Sequence, residues 1–121
     1  MIVVDSSIWI DHFRAAIPRL IEAALAEQLL QHPFVTIELA LGSLRNRDST
    51  ITDLRKLPQV AIVEVEALLT FVETNRLQST GIGLTDAQLL AGTAATANAR
   101  LWTRDRRLAE QAERLGLLHS A

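Results

Sequence analysis

Of the fourteen acidic residues in the 121-residue chain, four stand apart by their neighbours. Asp5 closes the β-branched apolar run Ile2-Val3-Val4, and Asp105 follows Leu101-Trp102-Thr103. Glu38 lies within Phe34-Val35-Thr36-Ile37-Glu38-Leu39-Ala40-Leu41-Gly42, where helical spacing gives it Val35, Leu41 and Gly42 as neighbours. Asp86 has Leu89 and Leu90 at the same spacings, in a stretch with no further charge until Arg100. Acids such as Glu22, Glu27, Glu110 and Glu113 fall instead on polar helix faces. An ionised carboxylate with poor access to water needs something to pair or coordinate it. Several together need cations, and oxygen donors alone suit hard divalent ions such as Mg²⁺ or Mn²⁺. The chemistry such a cluster does best is phosphodiester hydrolysis, in which metal charge generates hydroxide and stabilises the departing oxygen.

Taken singly, each acid has a structural explanation. Asp5 can cap the helix after its strand, Asp86 can sit in the first turn after a Thr85 cap, and Glu38 can pair with a buried arginine. The expectation of a site rests on all four having poor solvent access and on a fold that brings them to one edge.

The elements that must position them follow from local pattern. Ile2–Val4 reads as a buried strand, with Ser6 as the cap of a helix from Ile8 to about Phe13. Leu20–Leu30 has helical apolar spacing and stops at His32-Pro33, and Thr36–Leu44 reads as a helix capped by Thr36. Pro58 breaks the next helix, Val60–Val63 is a short β-branched strand, and Glu64–Leu77 is helical. Gly81-Ile82-Gly83 is a loop leading into an alanine-rich helix from Thr85 to about Asn98. Leu101–Thr103 is a strand, followed by a helix to Leu115, a Gly116 stop and a final strand at Leu117-Leu118. Strands alternating with helices, without hairpin signals, imply an α/β fold: one domain over residues 1–121, with a short parallel sheet flanked by helices on both faces. Sites in such folds form at the C-terminal ends of the strands, where Asp5 and Asp105 fall.

Composition narrows the chemistry. There is no cysteine, so neither a disulfide nor a thiolate metal site is possible, and His12, His32 and His119 are scattered. The net charge of −2 gives no global attraction for nucleic acid, but eleven of the twelve cations are arginines, and the cations group as Arg45/Arg47, Arg55/Lys56 and Arg100/Arg104/Arg106/Arg107. The apolar start ends at Asp5 without the features of a secretory signal, and no apolar run is of bilayer length. A soluble, cytoplasmic protein is expected, with no membrane partner. Trp9 and Trp102 lie in apolar runs and are expected in the core, while Asp11, on another face from Asp5, is expected at the surface.

Four blocks together, Ile2-Val3-Val4-Asp5-Ser6-Ser7-Ile8-Trp9, His32-Pro33-Phe34-Val35 with Glu38-Leu39-Ala40, Asp86-Ala87-Gln88-Leu89-Leu90 and Leu101-Trp102-Thr103-Arg104-Asp105, resemble the VapC toxins of the PIN-domain superfamily across essentially the whole chain. The resemblance implies a Mg²⁺- or Mn²⁺-dependent endoribonuclease, with Asp5, Glu38, Asp86 and Asp105 as catalytic metal ligands. By the same resemblance Ser7 supports the metal's water shell and Thr103 orients Asp105. It implies a homodimer, inhibition by a VapB-type antitoxin whose C-terminal segment covers the site, and structured RNA such as a tRNA or rRNA loop as substrate. Helices bearing Leu25/Leu29/Leu30 or Leu44/Ile51/Leu54 are the candidates for the dimer face.

Rival readings fail on residue identity. A receiver domain needs an acidic pair after its first strand and a lysine after its last, whereas Asp5 precedes two serines and the single lysine is Lys56. A haloacid-dehalogenase phosphatase needs Asp-x-Asp, and Ser7 holds the second position. A non-catalytic PIN-like RNA- or protein-binding module is the alternative.

Overall fold

The structure is a computed structural model that describes residues 1–120. Its centre is a three-stranded parallel sheet in the order β2-β1-β3, formed by β1 (Ile2–Val4), β2 (Leu29–Leu30) and β3 (Arg100–Trp102). Val3 pairs with Leu30 on one side and Leu101 on the other. Successive strand residues point to opposite faces, and Ile2, Val3 and Val4 are all buried, so helices cover both faces. The helices are α1 (Ser6–Arg14), α2 (Pro18–Leu25), α3 (Pro33–Leu41), α4 (Arg47–Lys56), α5 (Val65–Thr74), α6 (Leu84–Ala94) and α7 (Arg106–Arg114). None is long and apolar enough to cross a membrane.

The expected helix over Leu20–Leu30 is in fact α2 followed by a strand. It ends in a Schellman turn, with the Gln28 N–H donating to the Ala23 carbonyl and the Glu27 N–H to that of Ala24. Glu27, not a glycine, takes the left-handed position at φ 55°. The chain is thereby freed to enter the sheet at Leu29. Arg76 does the same after α5 at φ 53°, which is why that helix stops before Leu77. Gly116, at φ 71°, closes α7 in the same manner, as its residue type predicts.

Two other expected strands are single bridges. Residues 60–63 form no strand; Gln31 pairs with Gln59 alone, and the Gln88 side chain clips Val63 by hydrogen bonds to its N–H and carbonyl. Leu118 bridges to Leu101 at the sheet's far side. The alanine-rich helix α6 ends at Ala94 rather than near Asn98. It approaches the 58–63 segment through Gly92, where an added Cβ would stand 2.7 Å from Val60 Cγ1.

The expected caps also change. His32, not Thr36, caps α3, its Nδ1 accepting from the Phe34 N–H at 3.0 Å. Thr36 lies one turn inside, where its hydroxyl accepts from buried Gln31, which in turn holds Trp9 Nε1. Gly83 rather than Thr85 stands at the N-cap of α6. Ser6 is the first residue of α1 and Asp5 occupies its N-cap position. Trp9 and Trp102 are buried, and Leu29, Leu30 and Leu54 belong to the core rather than to a dimer face.

Candidate active site

Asp5 ends β1 and is 4 % exposed. It is not a helix cap, since its carboxylate accepts no backbone N–H of α1. Two hydroxyls donate to its Oδ2 instead, Ser7 Oγ and Thr103 Oγ1, each at 2.7 Å. Each hydroxyl also accepts a backbone N–H from the loop after β3: Ser7 from Arg104 and Thr103 from Asp105, both at 3.0 Å. The two hydroxyls thus tie the ends of β1 and β3 together through one carboxylate oxygen. Hydrogen bonds to a charged acceptor contribute about 1.5–3 kcal/mol each, which offsets much of the cost of burying Asp5. Among the described residues Oδ1 receives no hydrogen bond and Asp5 has no cationic partner.

Asp105, two residues beyond the expected strand end, is the N-cap of α7, its Oδ1 accepting from the Leu108 N–H at 3.2 Å. Unlike Asp5 it is exposed, which corrects the expectation of poor solvent access. Glu38 is exposed as well, because the apolar residues beside it, Ile37 and Leu41, are themselves on the surface. It lines a cavity together with Ser6. Its pKa is raised by partial burial and by Asp5, against the pull of the Ser6 and Thr85 hydroxyls. Those two residues, expected as helix caps, instead flank Glu38.

Asp86 is half-buried in the first turn of α6, where its Oδ2 reaches back to the Gly83 N–H at a long 3.4 Å. Its pKa is pushed up to about 6, first by burial and then by Asp5, Asp105 and Glu38, with the Gly83 N–H opposing. That all three acids act on Asp86 places the quartet around one region at the sheet's C-terminal edge. The carboxylates are not drawn tight: among the described residues no three acidic or histidine side chains stand close enough to hold one ion as they are. Their donor set is nonetheless all oxygen and without a counter-charge. The only ion pairs found among the described residues join Arg104 to Asp11 at 2.7 Å and Arg106 to Glu110 at 3.9 Å. Arg104 is therefore occupied by Asp11, which is at the surface as expected.

A model of the PIN domain matches residues 2–114. The chain belongs to the PIN-domain family. Two relatives, both called Ribonuclease VapC32 and from the CDC 1551 / Oshkosh and ATCC 25618 / H37Rv strains of Mycobacterium tuberculosis, are 45% identical over 108 residues, covering 89% of this chain and 87% of theirs. In this PIN domain the matched region takes in every residue of the quartet and of the hydroxyl network. Sequence reasoning had Ser7 and Thr103 only through resemblance. It missed the parts of Ser6 and Thr85, for which the available signal was a hydroxyl residue next to, or one before, an acid of the quartet. It also missed His32 as the cap of the helix that carries Glu38.

Proposed function

We propose that the chain is a divalent-metal-dependent endoribonuclease, the toxin of a type II toxin–antitoxin pair, with Asp5, Glu38, Asp86 and Asp105 holding Mg²⁺ or Mn²⁺. The observation that carries this reading is the buried, cation-free Asp5 with three further carboxylates around it. No arginine neutralises these acids among the described residues, where the ion pairs found involve other acids. Oxygen-only side chains, two of which, Glu38 and Asp86, have pKa values raised by burial and by neighbouring carboxylates, are what a hard divalent cation relieves. When bound, such an ion supplies the acidity that turns water into hydroxide and the charge that stabilises the departing oxygen.

The chain's own residues set the stage for this. Ser7 and Thr103 hold Oδ2 of Asp5, which leaves Oδ1 for the site. Thr103 also fixes the backbone of Asp105, so the two sheet-edge acids keep a constant spacing. Ser6 and Thr85 lie beside Glu38 and oppose the rise in its pKa, and the α6 N-terminus carries Asp86. The kinship with the Ribonuclease VapC32 proteins supports ribonuclease activity and a VapB-type antitoxin partner. We extend this to structured RNA such as a tRNA or rRNA loop, a cytoplasmic location, and one domain acting as a homodimer. The apolar groove lined by Ile62, Val65, Leu69 and Leu84 offers the second copy a surface.

The test is incubation of total RNA with the purified chain and Mg²⁺ or Mn²⁺, beside EDTA and Asp5→Asn controls, with the cut ends mapped. Discrete cuts with 5′-phosphates that vanish in both controls are expected. Intact RNA from a folded, metal-loaded protein would favour a non-catalytic binding module.

A further inference from the structure

The net charge is negative and the site itself is acidic, so an RNA strand needs local cations to be held there. Most arginines near the site are engaged. Arg104 pairs with Asp11, Arg106 with Glu110, Arg47 donates to the Ala40 carbonyl, and Arg107 packs over Gly81. Arg14 and Arg45 differ. Both are exposed, neither side chain has a hydrogen-bond or carboxylate partner among the described residues, and both line one cavity of 690 Å³.

That cavity adjoins one at the candidate active site. This second one, of 410 Å³, is lined by Ser6 and Glu38 and shares Ile10, Ser43 and Leu44 with the first. The floor is one face of α1: Ser6, Ile10, then Phe13 and Arg14 follow at helical spacing from the site to the helix end. The facing wall is the α3–α4 turn, from Gly42 to Asn46. Phe13 is 43 % exposed and stacked on buried Trp9 at a centroid distance of 6.0 Å, which steadies it as a flat apolar platform. The groove thus grades from a carboxylate end to an arginine end, with an aromatic ring on its floor. Its two cavities lie in the size range of sites that enclose a small ligand such as a nucleotide.

We propose that this groove is the subsite for the RNA strand flanking the cut, with a base stacked on Phe13 and its phosphates held by Arg14 and Arg45. The inference rests on the ribonuclease reading for its choice of ligand. Arginine at the end of a helix is favoured by the helix dipole alone, so Arg14 by itself says little. It is the pairing with Arg45 across the groove, beside the exposed ring, that matches single-stranded nucleic acid, whose recognition combines phosphate contacts with base stacking.

The experiment measures binding of a short single-stranded oligouridylate and of total tRNA across a salt series. It uses the full chain in an Asp5→Asn background with Mg²⁺, so that the probe is not consumed. Arg14→Ala with Arg45→Ala should weaken binding about tenfold at low salt and reduce the slope of log affinity against log salt by about 1.4, since each phosphate contact on a single strand contributes about 0.7. Phe13→Ala should weaken oligouridylate binding about tenfold with the slope unchanged. A charge-matched control, Arg19→Ala with Lys56→Ala, lies outside the groove and should leave the slope as it was.

An unchanged slope in the Arg14/Arg45 variant, with the fold intact by circular dichroism, overturns the proposal and leaves the groove to a protein partner. The two readings fail separately. RNA cutting by the wild type with an unchanged slope sinks the groove alone, whereas groove-dependent binding without cutting sinks the ribonuclease reading alone.

Discussion

The four acids of the proposed site are held in two different ways. Asp5 and Asp105 stand at strand ends and are locked: Asp5 receives two short hydroxyl bonds, and Asp105 is fixed through its own N–H and through the cap it gives α7. Glu38 and Asp86 ride on helices and are held loosely, Asp86 by a single long bond to Gly83, and both have raised pKa values. The sheet edge is therefore a pre-organised half of the site, and the helix-borne half is an electrostatically unsatisfied one. Such a division suits a cation that must be admitted. A rigid pair fixes where the ion goes, and a pair with raised pKa values gains most from its arrival.

The largest effect should come from the locked half. Asp5→Asn can keep its carbonyl oxygen toward Ser7 and Thr103 while losing the negative charge, so RNA cleavage should fall about a thousandfold, some 4 kcal/mol of barrier. The metal-free protein should unfold no more easily than wild type in urea. A large loss of stability would instead mean that Asp5 serves the fold. Thr103→Val probes the link between the two sheet-edge acids: it strips a bond from Asp5 and leaves the Asp105 N–H without its acceptor. Metal affinity or activity should drop about 10- to 100-fold, and stability by about 1–2 kcal/mol. A Thr103→Ser variant should recover most of both.

The loose half is sharpened by pH. The Asp86 pKa of about 6 lies above its ordinary value of 3.8, so the folded metal-free protein keeps a proton that the unfolded chain has lost. Its stabilising contribution is full below pH 3.8 and disappears as pH rises through about 6. Asp86→Asn should make the metal-free protein more stable at pH 8 by roughly 1–2 kcal/mol, after discounting for partial exposure. His32 has the opposite sign. Burial lowers its pKa from 6.5, against a smaller opposing interaction with Gln88, and its Nε2 is buried without a hydrogen-bond partner. The stability it confers is present above pH 6.5 and is lost as pH falls through its lowered folded value. In His32→Asn, which retains a side-chain acceptor for the cap, the acid limb of a urea-denaturation series should flatten.

The smallest effects test the turns that free β2 and end α5. Glu27 and Arg76 occupy left-handed positions that glycine adopts without strain. Glu27→Gly and Arg76→Gly should each raise stability by about 0.5–1 kcal/mol in thermal melts.

These turns also mark where the sequence ceased to be legible. The strand at Ile2–Val4, the acids closing it and the third strand, and the Gly116 stop are written in residue type, and each was readable. The stops at Glu27 and Arg76 are not, because a charged residue in the left-handed region carries no local signature; the helix over Leu20–Leu30 was therefore drawn too long and β2 was missed. In the site, the identity of the acids was readable but their exposure was not. Glu38 looks buried from the apolar residues around it, but Ile37 and Leu41 beside it lie on the surface. Asp5 looks like a helix cap and is none, while Asp105 does cap α7. The hydroxyl network depends on β1 and β3 lying side by side, a contact between residues nearly one hundred positions apart that no local pattern encodes.

The proposal that the four carboxylates hold a divalent metal is tested most directly by Mn²⁺ titration of the purified chain followed by electron paramagnetic resonance, from pH 5 to 8. The account predicts saturable binding that weakens as pH falls through about 6, where Asp86 takes up its proton, and that is strongly reduced by Asp5→Asn. Absence of saturable binding at pH 8, or binding that Asp5→Asn and Asp86→Asn leave unchanged, would contradict it.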